Sequence, residues 1–225
     1  MTPNITAFVV FPCIAYLMGA IPFGLLIGLA RGIDVRNQGS GNIGATNVWR
    51  ILGRQYGIVC LALDILKGFL PVFLARIYLS LHFIDAEHHT ISQTGQWAWL
   101  CVSGGAILGH MFSLFLKFKG GKGVATSLGV LIGVWPYFTL ASIVSLAAWL
   151  LVWAISRYVS LASIVAAALF PLGFLLLTWQ IDKWRFASLW PLFAFSCVTA
   201  LLIILRHRSN IVRLLAGTEL KNQPK

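Results

Sequence analysis

The sequence predicts an all-α membrane protein with seven transmembrane helices. Three observations carry that expectation. Of 225 residues, 59% are hydrophobic and only 10% are charged, with a mean hydropathy of +0.85. A soluble domain carries about a quarter charged residues, so this apolar excess is too large for a buried core. The apolar residues come in runs close to the roughly 20 that a helix needs to cross hydrocarbon. The cations gather in short loops between those runs, many of them beside glycines. No polar stretch is long enough to fold alone, so residues 1–225 are expected to form a single integral-membrane domain.

The first span covers residues 5–30. Met1-Thr2-Pro3-Asn4 ahead of it lacks a cationic segment, and the run is longer than a signal-peptide core, so it reads as a retained span. A cationic loop over residues 31–55 follows, then a second span over 56–81 and a polar loop with His82, Asp85, Glu87, His88 and His89. The third span, 96–116, leads into a second cationic loop. Residues 124–155 are uncharged and interrupted by Pro136. They are long for one crossing and short for two. Two short helices meeting near Trp135-Pro136 suit the proline, and one tilted helix is the alternative. Spans over 159–179 and 189–205 flank the turn Asp182-Lys183-Trp184-Arg185, and a basic tail ends the chain.

Charge placement selects seven spans with the N-terminus outside and the C-terminus in the cytoplasm. That arrangement puts Arg31, Arg36, Arg50, Arg54, Lys117, Lys119, Lys122, Arg157, Arg206, Arg208, Arg213, Lys221 and Lys225 inside, and leaves Arg76, Lys183 and Arg185 outside. The positive-inside rule asks for this asymmetry. Six spans would put Arg157 outside and separate the basic tail from the glycine loops. The net charge of +11 is thereby explained by orientation and by anionic headgroups or substrates, with no nucleic-acid motif and no nucleic-acid partner expected. Cys13, Cys60, Cys101 and Cys197 are far apart in apolar runs and read as buried structural thiols, with no metal site.

The two glycine loops carry the chemistry. One reads Gly39-Ser40-Gly41-Asn42-Ile43-Gly44-Ala45-Thr46-Asn47-Val48-Trp49-Arg50, the other Lys117-Phe118-Lys119-Gly120-Gly121-Lys122-Gly123-Val124-Ala125-Thr126. Glycine lets a backbone turn successive N–H groups toward one anion. Lysine and arginine add charge-assisted hydrogen bonds, and each loop runs into a helix N-terminus. A phosphate site is the functional reading; a flexible positive-inside loop is the plainer one. The second loop is not a Walker A loop, since Leu116 stands at that pattern's first glycine and Gly123 at its Ser or Thr. His110 at a helix end reads as a structural hydrogen-bonder. His207 shares a helix face with Asn210 and either binds substrate or stays solvated. His82, His88 and His89 read as an ordinary polar loop, with a metal site as the lesser reading. Asp64 and Lys67, one turn apart inside the second span, read as an ion pair, with a proton or substrate path as the alternative. Glu219 in the tail is expected to be exposed.

These segments, taken in order, resemble the bacterial integral-membrane glycerol-3-phosphate acyltransferases that use acyl phosphate as donor. The likeness runs through Ile21-Pro22-Phe23-Gly24, the first glycine loop and Asp64-Ile65-Leu66-Lys67-Gly68. It continues in Gly109-His110 and the second glycine loop. It closes in Arg157-Tyr158-Val159-Ser160-Leu161-Ala162-Ser163 and His207-Arg208-Ser209-Asn210-Ile211. Ser113 stands where that family often has proline, which changes a helix-end bend more than chemistry.

The resemblance implies seven spans and transfer of a fatty acyl group from acyl phosphate to the sn-1 hydroxyl of glycerol 3-phosphate. The products would be 1-acyl-sn-glycerol 3-phosphate (lysophosphatidate) and phosphate, the first acylation of phospholipid synthesis. It implies that Ser40, Arg50 and Lys122 hold substrate phosphate while Asn42, Thr46 and Asn47 shape their loop. Gly120, Gly121 and Gly123 would offer backbone N–H groups to the acyl-phosphate headgroup, with Thr126 also on the substrate side. Ser160, His207 and Asn210 would complete the polar pocket. No cofactor or metal is implied. The partners are acyl phosphate, glycerol 3-phosphate and membrane lipids, with a single chain in the bacterial inner membrane as the working unit and its site facing the cytoplasm. No acid follows a histidine at the spacing common in soluble acyltransferases, as Leu114 after His110 and Ile211 after His207 illustrate. Chemistry by positioning and electrostatics fits that absence. The competing class is a carrier or flippase for phosphorylated metabolites or lipids, against which no repeated halves are visible.

Overall fold

A computed structural model describes residues 2–85, 90–181 and 184–221. Glu87, His88, His89, Asp182, Lys183 and Lys225, named above, lie outside the described residues. The helices are α1 (Pro3–Ala30), α2 (Ala45–Leu52), α3 (Arg54–His82), α4 (Gln93–Met111), α5 (Val124–Gly133), α6 (Tyr137–Ser156), α7 (Val159–Gln180), α8 (Phe186–Arg206) and α9 (Arg208–Leu215). Between α3 and α4 lies a small antiparallel hairpin that pairs Ile84 with Ile91 and Asp85 with Thr90.

Among the described residues, six helices are long and apolar enough to cross a membrane: α1, α3, α4, α6, α7 and α8. Many of their apolar side chains face outward. Ile143, Leu151 and Ile155 on α6 are 60%, 61% and 78% exposed, a surface that only lipid can cover. The ambiguous stretch is two helices, α5 and α6, parted at residues 134–136. α5 has 10 residues, a rise of about 15 Å, which is half the usual hydrocarbon thickness.

Two elements differ from the sequence expectation. The first span is broken: α1 ends a helical segment at Ala20 and resumes at Phe23, because Pro22 has no N–H to continue the ladder. Within the first cationic loop an eight-residue helix, α2, starts at Ala45 on a Gly44 N-cap. The cysteine expectation also needs correction. Cys60 is buried, but Cys13, Cys101 and Cys197 are exposed on apolar helix surfaces, where a small apolar thiol suits lipid.

The chain divides into two compact units, residues 1–134 and 135–225. In the first, α1 packs on α4, α3 on α5, and α2 on α3. Trp99 on α4 donates its indole N–H to the Val72 carbonyl of α3 at 3.0 Å, a buried bond that ties the two helices. Leu25, Val35, Ile43, Val48, Cys60 and Leu116 form a core cluster that packs the first glycine loop against α1, α3 and the residue preceding the second loop. In the second unit, α7 packs on α6, α8 and α9. Phe138 anchors that core, with Phe170 and Phe174 edge-on at 5.2 and 5.7 Å.

Candidate active site

The first loop is built around one side chain, Asn47. It is 2% exposed, and its amide reaches four backbone groups. Nδ2 donates to the carbonyls of Val35, Gln38 and Asn42 at 3.0, 3.1 and 2.9 Å, and Oδ1 accepts from Ser40 N–H at 2.8 Å. Asn42 Oδ1 accepts from Gly44 N–H at 2.8 Å and closes the turn into α2. Asn42 and Asn47 therefore shape the loop, leaving Ser40 exposed at its tip. Arg50 sits on α2 and its Cδ passes 3.6 Å from where a Cβ on Gly39 would stand, so Arg50 lies alongside Ser40's turn. Thr46 and Arg50 are half-buried on the same helix. Nearby, three hydrogen bonds from the Arg36 guanidinium and one from the Arg36 backbone N–H hold the Asp34 carboxyl down to about 2. Arg36 is thus partly neutralised by its own neighbour.

The second loop folds back on the end of α4. Gly120 N–H donates to the Met111 carbonyl at 3.2 Å and Gly121 N–H to the His110 carbonyl at 3.1 Å. Both N–H groups complete the α4 C-terminus, whose last carbonyls need donors. Gly121 is glycine for a contact reason, since a Cβ there would run into the His110 ring. Gly123, with φ +85°, is the N-cap of α5 and supplies no side-chain cap. The first intrahelical bond of α5 is Ser127 N–H to Gly123 O, so the N–H groups of Val124, Ala125 and Thr126 lie at an open helix N-terminus. The Thr126 side chain is fully buried, with its Cγ2 near Gly68. Lys122 is half-buried one residue ahead of that N-terminus. Arg36 from the first cationic segment, and Phe115, Leu116, Lys117 and Lys119 at the entry to the second, line one cleft of about 330 Å³, whose lining does not include Ser40, Arg50 or Lys122.

Ser113, the departure from the family pattern, is 1% exposed and donates Oγ–H to the Ala20 carbonyl at 2.6 Å. It joins the end of α4 to the break in α1.

In the second unit, Ser160 and Asn210 converge on a residue that sequence reasoning left in solvent. Glu219 Oε1 accepts from Ser160 Oγ–H at 2.7 Å and from Asn210 Nδ2 at 2.5 Å, while Arg213 Nε donates to Oε2 at 2.7 Å. The Glu219 side chain is only 7% exposed, which corrects the exposed tail expected for it. Burial pushes its carboxyl up, but hydrogen bonds from Asn210, Ser160 and Arg213 outweigh that, and the net shift is downward. The signal that could have found it is the glycine two residues ahead: Gly217, at φ +68°, turns the chain back after α9. His207 is 2% exposed, with Nδ1 hydrogen-bonded to the Ile203 carbonyl at 2.7 Å. A carbonyl only accepts, so Nδ1 carries the proton and a neutral ring keeps its lone pair on Nε2. Arg157 ends α6 in a left-handed turn and Tyr158 caps α7, which delivers Ser160 to its first turn. Among the described residues no cluster of His, Cys, Asp or Glu is placed to hold a metal.

Comparison with known proteins gives this arrangement a family. The family model described as glycerol-3-phosphate acyltransferase matches residues 9–217. The glycerol-3-phosphate acyltransferase of Geotalea daltonii is 47% identical over 206 residues, covering 91% of this chain and 92% of that protein. The one from Fusobacterium nucleatum is 45% identical over 217 residues, covering 96% and 98%. The crystal structure of PlsY (YgiH), an integral membrane glycerol 3-phosphate acyltransferase, in its glycerol 3-phosphate form has a TM-score of 0.77 and 40% identity, covering 96% of this chain and 95% of that one. Its lysophosphatidic acid form has a TM-score of 0.75 at 39% identity. The match spans both glycine loops and the Ser160, His207 and Asn210 segments, and the chain belongs to the glycerol-3-phosphate acyltransferase family.

Proposed function

We propose that this protein transfers a fatty acyl group from acyl phosphate to the sn-1 hydroxyl of glycerol 3-phosphate, releasing lysophosphatidate and inorganic phosphate. The observation that supports it most is that Ser40 and Arg50 sit on one glycine loop and Lys122 stands just ahead of the α5 N-terminus on another, while Arg36, Lys117 and Lys119 from these two cationic segments share one cleft. Such a pair of cationic, donor-rich loops suits two phosphorylated substrates.

In the reaction, the primary hydroxyl oxygen of glycerol 3-phosphate attacks the acyl carbonyl carbon. An ester C–O bond forms, the bond from that carbon to the phosphate oxygen breaks, and phosphate leaves with the electron pair. The hydroxyl proton passes to a substrate phosphate oxygen. An acyl phosphate is already activated, so the task left to the protein is to orient two anions and neutralise the charge that moves between them. Arg50 and Lys122 serve that role. Ser40, Asn42, Thr46 and Asn47 set the first loop. Gly120 and Gly121 set the bend that presents Lys122, and Gly123 with the first turn of α5 supplies backbone donors. Ser160 and Asn210, oriented by Glu219, and His207, oriented by the Ile203 carbonyl, serve as further polar ligands. The acyl tail lies among the lipid-facing helices.

The chain acts as one domain over residues 1–225 and as a monomer. It crosses the bacterial inner membrane seven times, with α5 as the short crossing. The N-terminus lies outside, and the glycine loops and the basic tail lie in the cytoplasm, as the cation asymmetry favours. Purified protein offered glycerol 3-phosphate with either palmitoyl phosphate or palmitoyl-CoA tests the donor. Lysophosphatidate, identified by mass spectrometry, is expected from palmitoyl phosphate alone. Equal product from the thioester would overturn the proposed donor.

A further inference from the structure

α3 carries two ionisable residues, Asp64 and Lys67, within an apolar span, where such groups are costly. Lys67 Nζ lies 2.7 Å from Asp64 Oδ1, and both side chains are only 3% exposed. The pair does not stand alone. Lys67 also donates to the Ile21 carbonyl at 2.7 Å, at the break in α1. Asp64 lies 3.7 Å from His110 Nδ1 at the end of α4.

Each end of this network leads to one of the glycine loops. Ile21 precedes Pro22, Phe23 and Gly24, and Gly24 packs directly on the Ile43 carbonyl of the first loop, leaving no room for a Cβ. The Lys67 ammonium also faces the Phe23 ring, 5.5 Å from its centroid. On the other side, His110 accepts the Gly121 N–H through its carbonyl and holds Gly121 against its ring. Gly68, next to Lys67, packs on the Thr126 carbonyl in the first turn of α5. One ion pair therefore touches the segment that leads to Ser40 and Arg50 and the segment that presents Lys122.

Stability alone is a weak reason for such a pair. Apolar residues of similar size often hold helices as well as a buried ion pair, or better. We propose that Asp64, Lys67 and His110 are positioning residues: a charged brace inside the membrane that fixes the first glycine loop against the second. The inference rests on the acyltransferase reading above. A brace of this kind governs the distance between the two phosphate grips, and a misplacement near 1 Å is enough to slow a positioned reaction by roughly 100-fold.

The test is the double variant Asp64→Asn/Lys67→Met, which removes both charges and leaves neither one buried alone. The full chain is purified in detergent, its melting temperature recorded, and kcat and KM measured per folded molecule with palmitoyl phosphate and glycerol 3-phosphate. The brace predicts wild-type melting with kcat/KM lowered roughly 10- to 100-fold. Purely structural charges predict that the folded fraction changes while kcat and KM stay within about twofold of wild type, and that result overturns the inference. If the double variant does not fold, His110→Asn, which keeps the ion pair, carries the same readout and the same two outcomes. Failure of the acyltransferase reading is separate: wild-type protein would then make no lysophosphatidate. Glycerol 3-phosphate binding by calorimetry decides in that case, where a Kd weakened roughly tenfold or more in the variant supports the brace and an unchanged Kd refutes it.

Discussion

Lys122 and Arg50 share a surrounding that gives a cation more effect than it has in water: each is half-buried, beside a backbone turn rich in donors. A methyl group in either place leaves the fold little changed but removes charge where phosphate accumulates it. Lys122→Ala and Arg50→Ala should each lower kcat/KM for lysophosphatidate formation by about 100-fold or more, with wild-type melting temperature. Near-normal turnover in folded variants would remove these residues from the site. Glu219 makes a different prediction. Its folded carboxyl titrates below the ordinary value of 4.5, so its stabilising bonds are complete above that value and are lost as pH falls through the lower, folded one. Wild-type melting temperature should therefore drop on acidification from about pH 5 to pH 3, and Glu219→Gln should flatten that drop. Parallel curves for the two proteins would contradict it. Lys122 and Arg50 stand out in the sequence because a cation beside glycine is legible there. Glu219 does not, because its importance arises only when the turn at Gly217 carries it back to Ser160 and Asn210.

Loop shape is decided one level up, by how helix ends meet backbone donors. Asn47 satisfies four backbone groups of the first loop from one buried position. Asn47→Ala should cost about 2–4 kcal/mol of loop stability, since each lost bond contributes roughly 1 kcal/mol and buried groups are left unpaired. Hydrogen exchange of the Ser40 region, faster in the variant, is the measurement; unchanged exchange would show that the loop holds itself without Asn47. Much of this level was legible. Pro136 marks the division into α5 and α6, whereas Pro22 lies within an unbroken apolar run, which hides the break it causes in α1. The use of Gly120 and Gly121 could not be read from their neighbours. Whether a glycine N–H faces a ligand or a carbonyl depends on the fold-back onto His110 and Met111, which is a tertiary fact.

At the scale of the whole molecule, hydrophobic run length predicts the long apolar helices because a bilayer imposes a nearly fixed span on each crossing. The helices α1, α3, α4, α6, α7 and α8 end within a few residues of the predicted bounds. The short α5 is the exception, half the usual length and still apolar. The proposed orientation rests on the cation asymmetry and is open to direct test. In a background lacking native cysteines, Gln38→Cys should react with an impermeant thiol reagent only from the cytoplasmic side and Thr90→Cys only from outside; the reverse would invert the topology. The most direct test of the central claim is chemical. Purified protein is given palmitoyl phosphate with and without glycerol 3-phosphate, and released phosphate is followed beside lysophosphatidate. Acyl transfer predicts phosphate release that requires glycerol 3-phosphate and equals lysophosphatidate mole for mole. Folded protein that binds glycerol 3-phosphate yet releases no phosphate would contradict the account and identify a carrier instead.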